Sequence, residues 1–242
     1  MIGQYPRPLH MEVKSYFQLV RAPNLFTAVT NVFTGCAAVY ATRPSAATIT
    51  FLAFSSACLY AGGVALNDWC DLDVDRVERP ERPLPSGRIA PKTVVMLAAG
   101  LLVAGVAWAA MVGGMAALTA SAIVLLVATY NFGLKSIPVV GPLNMGACRF
   151  GNVLLGACAG PAESMRALPF AAFMMAWVVV ISLISAREAS SPRRQTVVKA
   201  MVLTIPLLDG VFVGALTTPW LGVGVAAFAL PAWLTARRLY VT

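Results

Sequence analysis

A short polar stretch contains most of the acidic side chains of this chain, and it is where the sequence could perform chemistry. Of the ten Asp and Glu residues, six lie between residues 67 and 82. They are Asp68, Asp71, Asp73, Asp75, Glu78 and Glu81. Carboxylates this close repel one another in a medium of low dielectric unless cations lie among them. The stretch is therefore a candidate site for a bound cation.

The spacing of these residues places four oxygen-bearing side chains on one side of a helix. An α-helix turns by about 100° per residue, so the four share an arc of about 100°. They are Asn67, Asp68, Asp71 and Asp75. Asp73 points the other way. Oxygen ligands suit Mg²⁺, which usually binds one or two carboxylates together with substrate phosphates. The pattern predicts a magnesium site, and the alternative is a solvated acidic loop that ends a helix.

The composition of the rest of the chain indicates an integral membrane protein. Of the 242 residues, 59% are hydrophobic and 12% are charged, whereas soluble domains are about a quarter charged. No polar block is long enough to fold separately, so we expect residues 1–242 to form one domain. The net charge of +8 is better explained by basic cytoplasmic loops than by nucleic-acid binding. The five cysteines include no C-x-x-C pair, so neither a zinc site nor a disulfide framework is indicated.

Apolar runs separated by Pro, Gly and polar breaks predict about eight transmembrane helices in an all-α bundle. They lie near residues 24–41, 46–67, 91–110, 114–133, 142–160, 168–186, 197–216 and 219–236. Eight spans place fifteen of the 18 Lys and Arg residues on the side of both termini, with Arg43 and Arg166 opposite and Arg149 inside a span. This bias predicts that the termini and the acidic stretch are cytoplasmic.

Basic and amide side chains near the acidic stretch and inside the spans are further candidates. Arginines 76, 79, 82 and 88 follow the acids, and guanidinium groups match phosphate oxygens. Some of them only reflect the charge bias, and Arg82 is the favoured phosphate ligand. Arg149 is a charge inside a span, which usually faces an internal cavity. Asn152 lies one turn further and Asn144 near the start of the same helix. The alternative is that Arg149 has only a structural role and pairs with a carbonyl inside the bundle.

These motifs together resemble one known family. The run Asn67-Asp68-x-x-Asp71-x-x-x-Asp75-Arg76, followed by Arg79-Pro80-x-Arg82-Pro83-Leu84-Pro85-Ser86-Gly87, is similar to the first aspartate-rich motif of the UbiA superfamily of intramembrane prenyltransferases. The resemblance extends to three further runs. They are Arg21-Ala22-Pro23-Asn24-Leu25, Tyr130-x-x-x-x-Lys135 and Asn144-Met145-Gly146-Ala147-Cys148-Arg149-Phe150-x-Asn152.

The resemblance implies a helical bundle around a central cavity and an enzyme that moves a prenyl group from a prenyl diphosphate to a small acceptor. It also implies Mg²⁺ on the diphosphate. Lys135 would reach the same phosphates, and Asn24 would belong to the metal or phosphate shell unless it is only a helix cap. Tyr130 would line the cavity unless it is an interfacial anchor.

The second acidic motif of the family is reduced in this chain. The family carries Asp-x-x-x-Asp after the sixth span. At the matching place in this chain, residues 185–194, the only acidic residue is Glu188. Our hypothesis is that Glu188 contributes to one metal or orients the acceptor, and that Arg187 supplies charge in place of a second metal. The alternative is that Arg187 is one more cytoplasmic charge.

Several functional alternatives stay open at this point. The form of the Asn144–Asn152 motif resembles a divergent UbiA-like branch of bacterial metabolite operons, which implies the bacterial cytoplasmic membrane and an aromatic or a polar, cyclitol-like or sugar-like acceptor. A second hypothesis is transfer from a sugar diphosphate of the phosphoribosyl type to a polyprenyl phosphate. A carrier for a lipid or metabolite is a third, but carriers often place their polar residues near the bilayer midplane, and here they cluster toward one face.

Overall fold

The computed structural model describes residues 9–160, 163–185, 192–237 and 239. Within these ranges the chain forms α-helices joined by short turns. The helices are α1 (Leu9–Leu19), α2 (Ala22–Ala38), α3 (Ala46–Cys70), α4 (Leu72–Glu78), α5 (Pro91–Ala110), α6 (Gly114–Asn131), α7 (Val140–Ala157), α8 (Leu168–Ser185), α9 (Pro192–Leu203), α10 (Ile205–Leu216), α11 (Pro219–Ala226) and α12 (Ala229–Ala236). The expected all-α class is confirmed.

Among the described residues, six segments are long and apolar enough to cross a membrane. They are Ala46–Cys70, Pro91–Ala110, Gly114–Asn131, Met165–Ser185, Gln195–Leu216 and Pro219–Ala236. The other two predicted spans correspond to α2, which has 17 residues, and to α7, whose polar residues include Arg149. The eight predicted spans therefore coincide with helical segments, and the chain is an integral membrane protein.

The last two predicted spans are each divided into two helices. The segment 197–216 consists of α9 and α10, which part at Thr204. Pro206 lies in the first turn of α10, where its missing N–H needs no partner, but it could not continue α9 without loss of a backbone hydrogen bond. The segment 219–236 consists of α11 and α12, which part at residues 227–228. Both predicted spans are present as segments that could cross a membrane, and the structure adds that each contains a break between two helices.

Two glycines bring the backbones of α2 and α7 unusually close together. A Cβ atom added to Gly156 would lie 2.1 Å from the carbonyl oxygen of Val32, and one added to Gly35 would lie 2.0 Å from that of Val153. Small residues of this kind allow close contact between membrane helices. The approach places the polar residues of α2 within hydrogen-bond reach of α7.

Candidate active site

A cavity of about 460 Å³ lies among α2, α3, α6, α7, α8 and α9 and reaches the start of α10. One part of its lining, which we call the charged end, consists of Arg21, Asn67, Asp71, Arg79, Arg82 and Lys135. Another part is apolar and includes Leu59, Val127, Ile181, Val198 and Val202. The cavity can therefore receive a molecule with an anionic head and an apolar tail.

The acidic stretch is not a single helix, because α3 ends at Cys70 and Asp71 caps it with φ −94° and ψ 7°. The helical spacing nevertheless continues through the break, since the Asp75 N–H donates to the Asp71 carbonyl at 2.8 Å. The side chains of Asp68 and Asp75 are consequently buried, whereas that of Asp73 is 91% exposed and pairs with Arg76. The break in the helix at Asp71 was not predicted, because the angular spacing of residues was calculated for one continuous helix.

The buried carboxylates of Asp68 and Asp75 face arginines. Arg82 Nη1 lies 2.8 Å from Asp75 Oδ2 and 3.5 Å from Asp68 Oδ1. Arg21 Nη2 donates to Asp68 Oδ1 at 3.1 Å, and Arg79 Nη1 lies 3.7 Å from Asp75 Oδ1. Neither aspartate is among the residues that line the cavity. These two carboxylates hold the guanidinium groups of the charged end in place, and their role as metal ligands stays a prediction.

The electrostatic surroundings of two of these arginines differ. Burial lowers the pKa of Arg21, but the charge and hydrogen bond of Asp68 together with the charges of Tyr60 and Asp75 outweigh burial and leave that pKa raised. Burial and then the positive charge of Arg21 lower the pKa of Arg82. A guanidinium stays protonated in proteins, so both remain cations. Arg21 has a left-handed backbone with φ 46°, a conformation that costs about 1 kcal/mol or more in a non-glycine residue.

Asp71 and Asn67 are the two predicted metal ligands that line the cavity. Asn67 Nδ2 donates to Asp71 Oδ2 at 2.9 Å, and the Lys135 ammonium makes a short contact with Asp71 Oδ1. In the part of the chain that the structure describes, no three His, Cys, Asp or Glu side chains form a metal-binding group. One carboxylate and one amide fit a magnesium ion that is shared with phosphate oxygens, and do not fit an ion held by protein alone.

The other predicted site residues divide into those that reach the cavity and those that do not. Asn24 and Tyr130 line it next to the charged end. Asn152 also lines it, although its Nδ2 donates to the Ala28 carbonyl at 2.7 Å. Asn144 is not among the lining residues, because its Nδ2 donates to Thr129 Oγ1 on α6 at 3.2 Å. Arg187 and Glu188, which were predicted to complete the site, lie outside the described residues.

Arg149 lines the cavity away from the acidic stretch. Its Nη1 donates to Asn31 Oδ1 at 3.1 Å, and its Nη2 donates to Thr27 Oγ1 at 3.0 Å. The guanidinium also lies 5.2 Å from the ring centre of Tyr60. Asn31 follows Arg21 by ten residues, about 15 Å along a helix. Thr27 follows Arg21 by only six residues, about 9 Å, so Arg149 is held further along α2 than the charged end.

A buried carboxylate on α10 continues this network. Asp209 is fully buried, and its two oxygens accept hydrogen bonds from Asn31 Nδ2 at 2.8 Å and Thr34 Oγ1 at 2.7 Å. Asn31 therefore bridges Arg149 and Asp209, accepting from one and donating to the other. We call Thr27, Asn31, Thr34, Arg149 and Asp209 the inner cluster.

Sequence reasoning named Arg79 only among four arginines that could bind phosphate, and Arg21 only within a run that resembles the family. It did not identify Asn31 or Asp209 as site residues. One signal was present, because Asp209 is the only acidic residue inside the predicted spans. A carboxylate within the membrane calls for a partner, and Arg149 was the intramembrane cation. Nothing in the sequence indicated the role of Asn31. An asparagine in a helix can be recognised as a link between two charged side chains only when the structure shows both of them.

The family of the chain is settled by comparison with known proteins. The model of the UbiA prenyltransferase family matches residues 28–241. The chain belongs to this family, and the resemblance inferred from its motifs is confirmed.

Relatives with established names are digeranylgeranylglyceryl phosphate synthases. The protein from Ignicoccus hospitalis is 33% identical over 148 residues, which are 61% of this chain and 48% of the relative. That from Methanopyrus kandleri is 31% identical over 164 residues, which are 66% of this chain and 60% of the relative. The matches span about half of the first relative and three-fifths of the second.

Solved structures of similar fold cover nearly all of the chain. A UbiA homologue from Archaeoglobus fulgidus, bound to DMAPP and Mg²⁺, is 18% identical with a TM-score of 0.65, and the match covers 93% of this chain and 88% of that one. A structure that concerns digeranylgeranylglyceryl phosphate synthase in membranes is 17% identical with a TM-score of 0.63, covering 93% and 95%. At this identity the likeness shows the fold.

Proposed function

We propose that this protein transfers a prenyl group from a prenyl diphosphate to a small acceptor within the membrane, with Mg²⁺ as cofactor. The observation that carries the proposal is that one cavity joins Asp71 and its surrounding cations to an apolar lining. The diphosphate would bind at the charged end, and the prenyl chain would lie against the apolar residues. The named relatives and the magnesium-bound structural neighbour support this assignment.

The charged end contributes binding and charge neutralisation. Asp71 and Asn67 would hold a magnesium ion, which when bound neutralises the diphosphate and makes it a better leaving group. Lys135 and Arg79 line the same part of the cavity and would bind the outer phosphate oxygens. Asp68 and Asp75 position Arg21 and Arg82 for the same task. Lys135 would exchange its contact with Asp71 for one with phosphate.

The reaction breaks the bond between the first prenyl carbon and the diphosphate oxygen. The bonding electrons leave with diphosphate, and an acceptor oxygen forms the new bond to that carbon. The acceptor proton passes to the departing diphosphate, so that charge and atoms balance. The half-buried Tyr130 lies beside the charged end, where its ring could shelter the developing allylic cation.

The acceptor and the orientation in the membrane are parts of the same proposal. The relatives are named for a glyceryl phosphate product, and the acceptor proposed for this chain is a small polar or aromatic molecule that bears a hydroxyl group. The bias of basic residues favours the cytoplasmic side for the charged end, and the proposed location is a cytoplasmic membrane of bacterial type.

Turnover by the purified protein tests the proposal. The protein in nanodiscs is given radiolabelled geranylgeranyl diphosphate, Mg²⁺ and a mixture of a hydroxybenzoate, a cyclitol, geranylgeranylglycerol and the phosphate of that glycerol ether. We expect a labelled product that disappears with EDTA and with Asp71→Asn, but not with Asp73→Asn, the exposed neighbour. A parallel reaction contains radiolabelled phosphoribosyl diphosphate and a polyprenyl phosphate. Sugar transfer in that reaction, with no prenyl transfer in the first, would support the sugar-diphosphate alternative and contradict the proposal.

A further inference from the structure

The inner cluster is a group of hydrogen-bonded polar side chains in the wall of the cavity. Its asparagine and both threonines, as well as Asp209, are fully buried, whereas Arg149 lines the cavity. A guanidinium carries five N–H donors, and hydrogen bonds to Asn31 and Thr27 use two of them. The cluster therefore presents further donors of a held guanidinium to a ligand in the cavity.

The two polar parts of the cavity differ in their balance of charge. At the charged end, four cations (Arg21, Arg79, Arg82 and Lys135) face three carboxylates, those of residues 68, 71 and 75. In the inner cluster one cation, Arg149, is balanced by one carboxylate, Asp209, through the amide of Asn31. The charged end can accept an anion. An anion at the inner cluster would leave a net negative charge in a membrane interior, which is strongly unfavourable.

We propose that the inner cluster binds the neutral, oxygen-bearing head of the acceptor, and that Asp209 is the positioning residue that sets this preference. Arg149 donates to the acceptor oxygen, while Asp209 cancels its charge and holds it through Asn31. The inference rests on the prenyl transfer proposed above, because it assigns the second substrate of that reaction. It predicts a neutral acceptor head for this chain.

The test compares two probes that differ only in a phosphate. Geranylgeranylglycerol and geranylgeranylglycerol phosphate are titrated into the full-length protein with Mg²⁺ and geranylgeranyl thiodiphosphate, an unreactive donor analogue, and binding is followed by tryptophan fluorescence. The wild type should bind the neutral probe more tightly. Asp209→Asn should shift the ratio of the two affinities toward the phosphate-bearing probe by at least roughly tenfold. The reason is that loss of the carboxylate leaves the cluster with the net positive charge of Arg149. An unchanged ratio, or a wild type that prefers the phosphate or binds neither probe, overturns the proposal.

Two further variants keep the test decisive if Asp209→Asn does not fold. The double variant Arg149→Gln with Asp209→Asn restores neutrality, so its thermal stability should recover toward the wild type while its affinity for the neutral probe falls. Wild-type affinity in that variant would make the cluster merely structural. Asp73→Asn, which removes an exposed carboxylate, is the matched control. Binding of the thiodiphosphate itself reports separately on the donor site, so failure of prenyl transfer is distinguishable from failure of this inference.

Discussion

Asp71 and Asp73 are two residues apart but have different surroundings. The Asp71 side chain is 27% exposed, lines the cavity and contacts Lys135, whereas Asp73 is 91% exposed and pairs with Arg76. The helical period predicted from sequence that Asp73 would point away from its neighbours. It could not predict that Asp68 pairs with Arg21, because Arg21 comes from a segment 47 residues earlier.

The ion pair between Asp75 and Arg82 is expected to stabilise the folded loop after α4. Both side chains are almost fully buried, and the closest N–O distance is 2.8 Å. Asp75→Asn leaves a buried guanidinium with an incomplete partner, which should lower the free energy of unfolding by about 3 kcal/mol. Unfolding in mixed micelles by SDS titration measures this loss.

Asp73→Asn is the control for that measurement. Its ion pair is exposed, so its removal should change the free energy of unfolding by less than about 1 kcal/mol. Equal losses in the two variants would show that burial of the Asp75–Arg82 pair does not contribute to stability.

At the scale of elements, the close approach of α2 and α7 positions the inner cluster. The hydrogen bonds from Arg149 on α7 to Thr27 and Asn31 on α2 require the two backbones to be near each other, and Gly35 and Gly156 allow this. A glycine in one helix permits close packing, but it does not identify the helix that packs against it. The pairing of α2 with α7 therefore had to come from the structure.

Gly156→Ala should separate α2 from α7. The added Cβ atom would lie 2.1 Å from the Val32 carbonyl oxygen, and overpacking of this kind costs about 1–3 kcal/mol. Thermal unfolding should show the loss, and prenyl transfer should fall with it because Arg149 is displaced. Gly100→Ala on α5 meets nothing within 4 Å and should be neutral or slightly stabilising. If Gly156→Ala behaves like Gly100→Ala, the close approach is not required.

At the scale of the whole molecule, one cavity connects groups from nearly every part of the chain. The sequence predicted the helical membrane bundle well, since hydropathy and the charge bias act over whole segments. The divided spans were harder to predict, because α9, α10, α11 and α12 together have a composition typical of two continuous helices. The link between Asn31 and Asp209 spans 178 residues, and no local pattern specifies it.

The apolar lining is expected to limit the length of the prenyl donor. Val202 on α9 lines the cavity, so Val202→Phe should reduce use of geranylgeranyl diphosphate more than use of geranyl diphosphate. The ratio of the two turnover rates measures this. Val211→Phe, at a position that is 68% exposed, should leave the ratio unchanged. The same ratio in all three proteins would place the donor chain elsewhere.

Binding of the donor analogue tests the central claim most directly, because it requires neither acceptor nor turnover. Geranylgeranyl thiodiphosphate is titrated into the wild type, Asp71→Asn and Asp73→Asn, each with Mg²⁺ and with EDTA. We expect binding to the wild type and to Asp73→Asn to depend on Mg²⁺, and Asp71→Asn to weaken it by roughly tenfold or more through loss of the cavity-lining carboxylate. Equal binding with EDTA, or full magnesium-dependent affinity in Asp71→Asn, would contradict a magnesium-diphosphate site at the charged end.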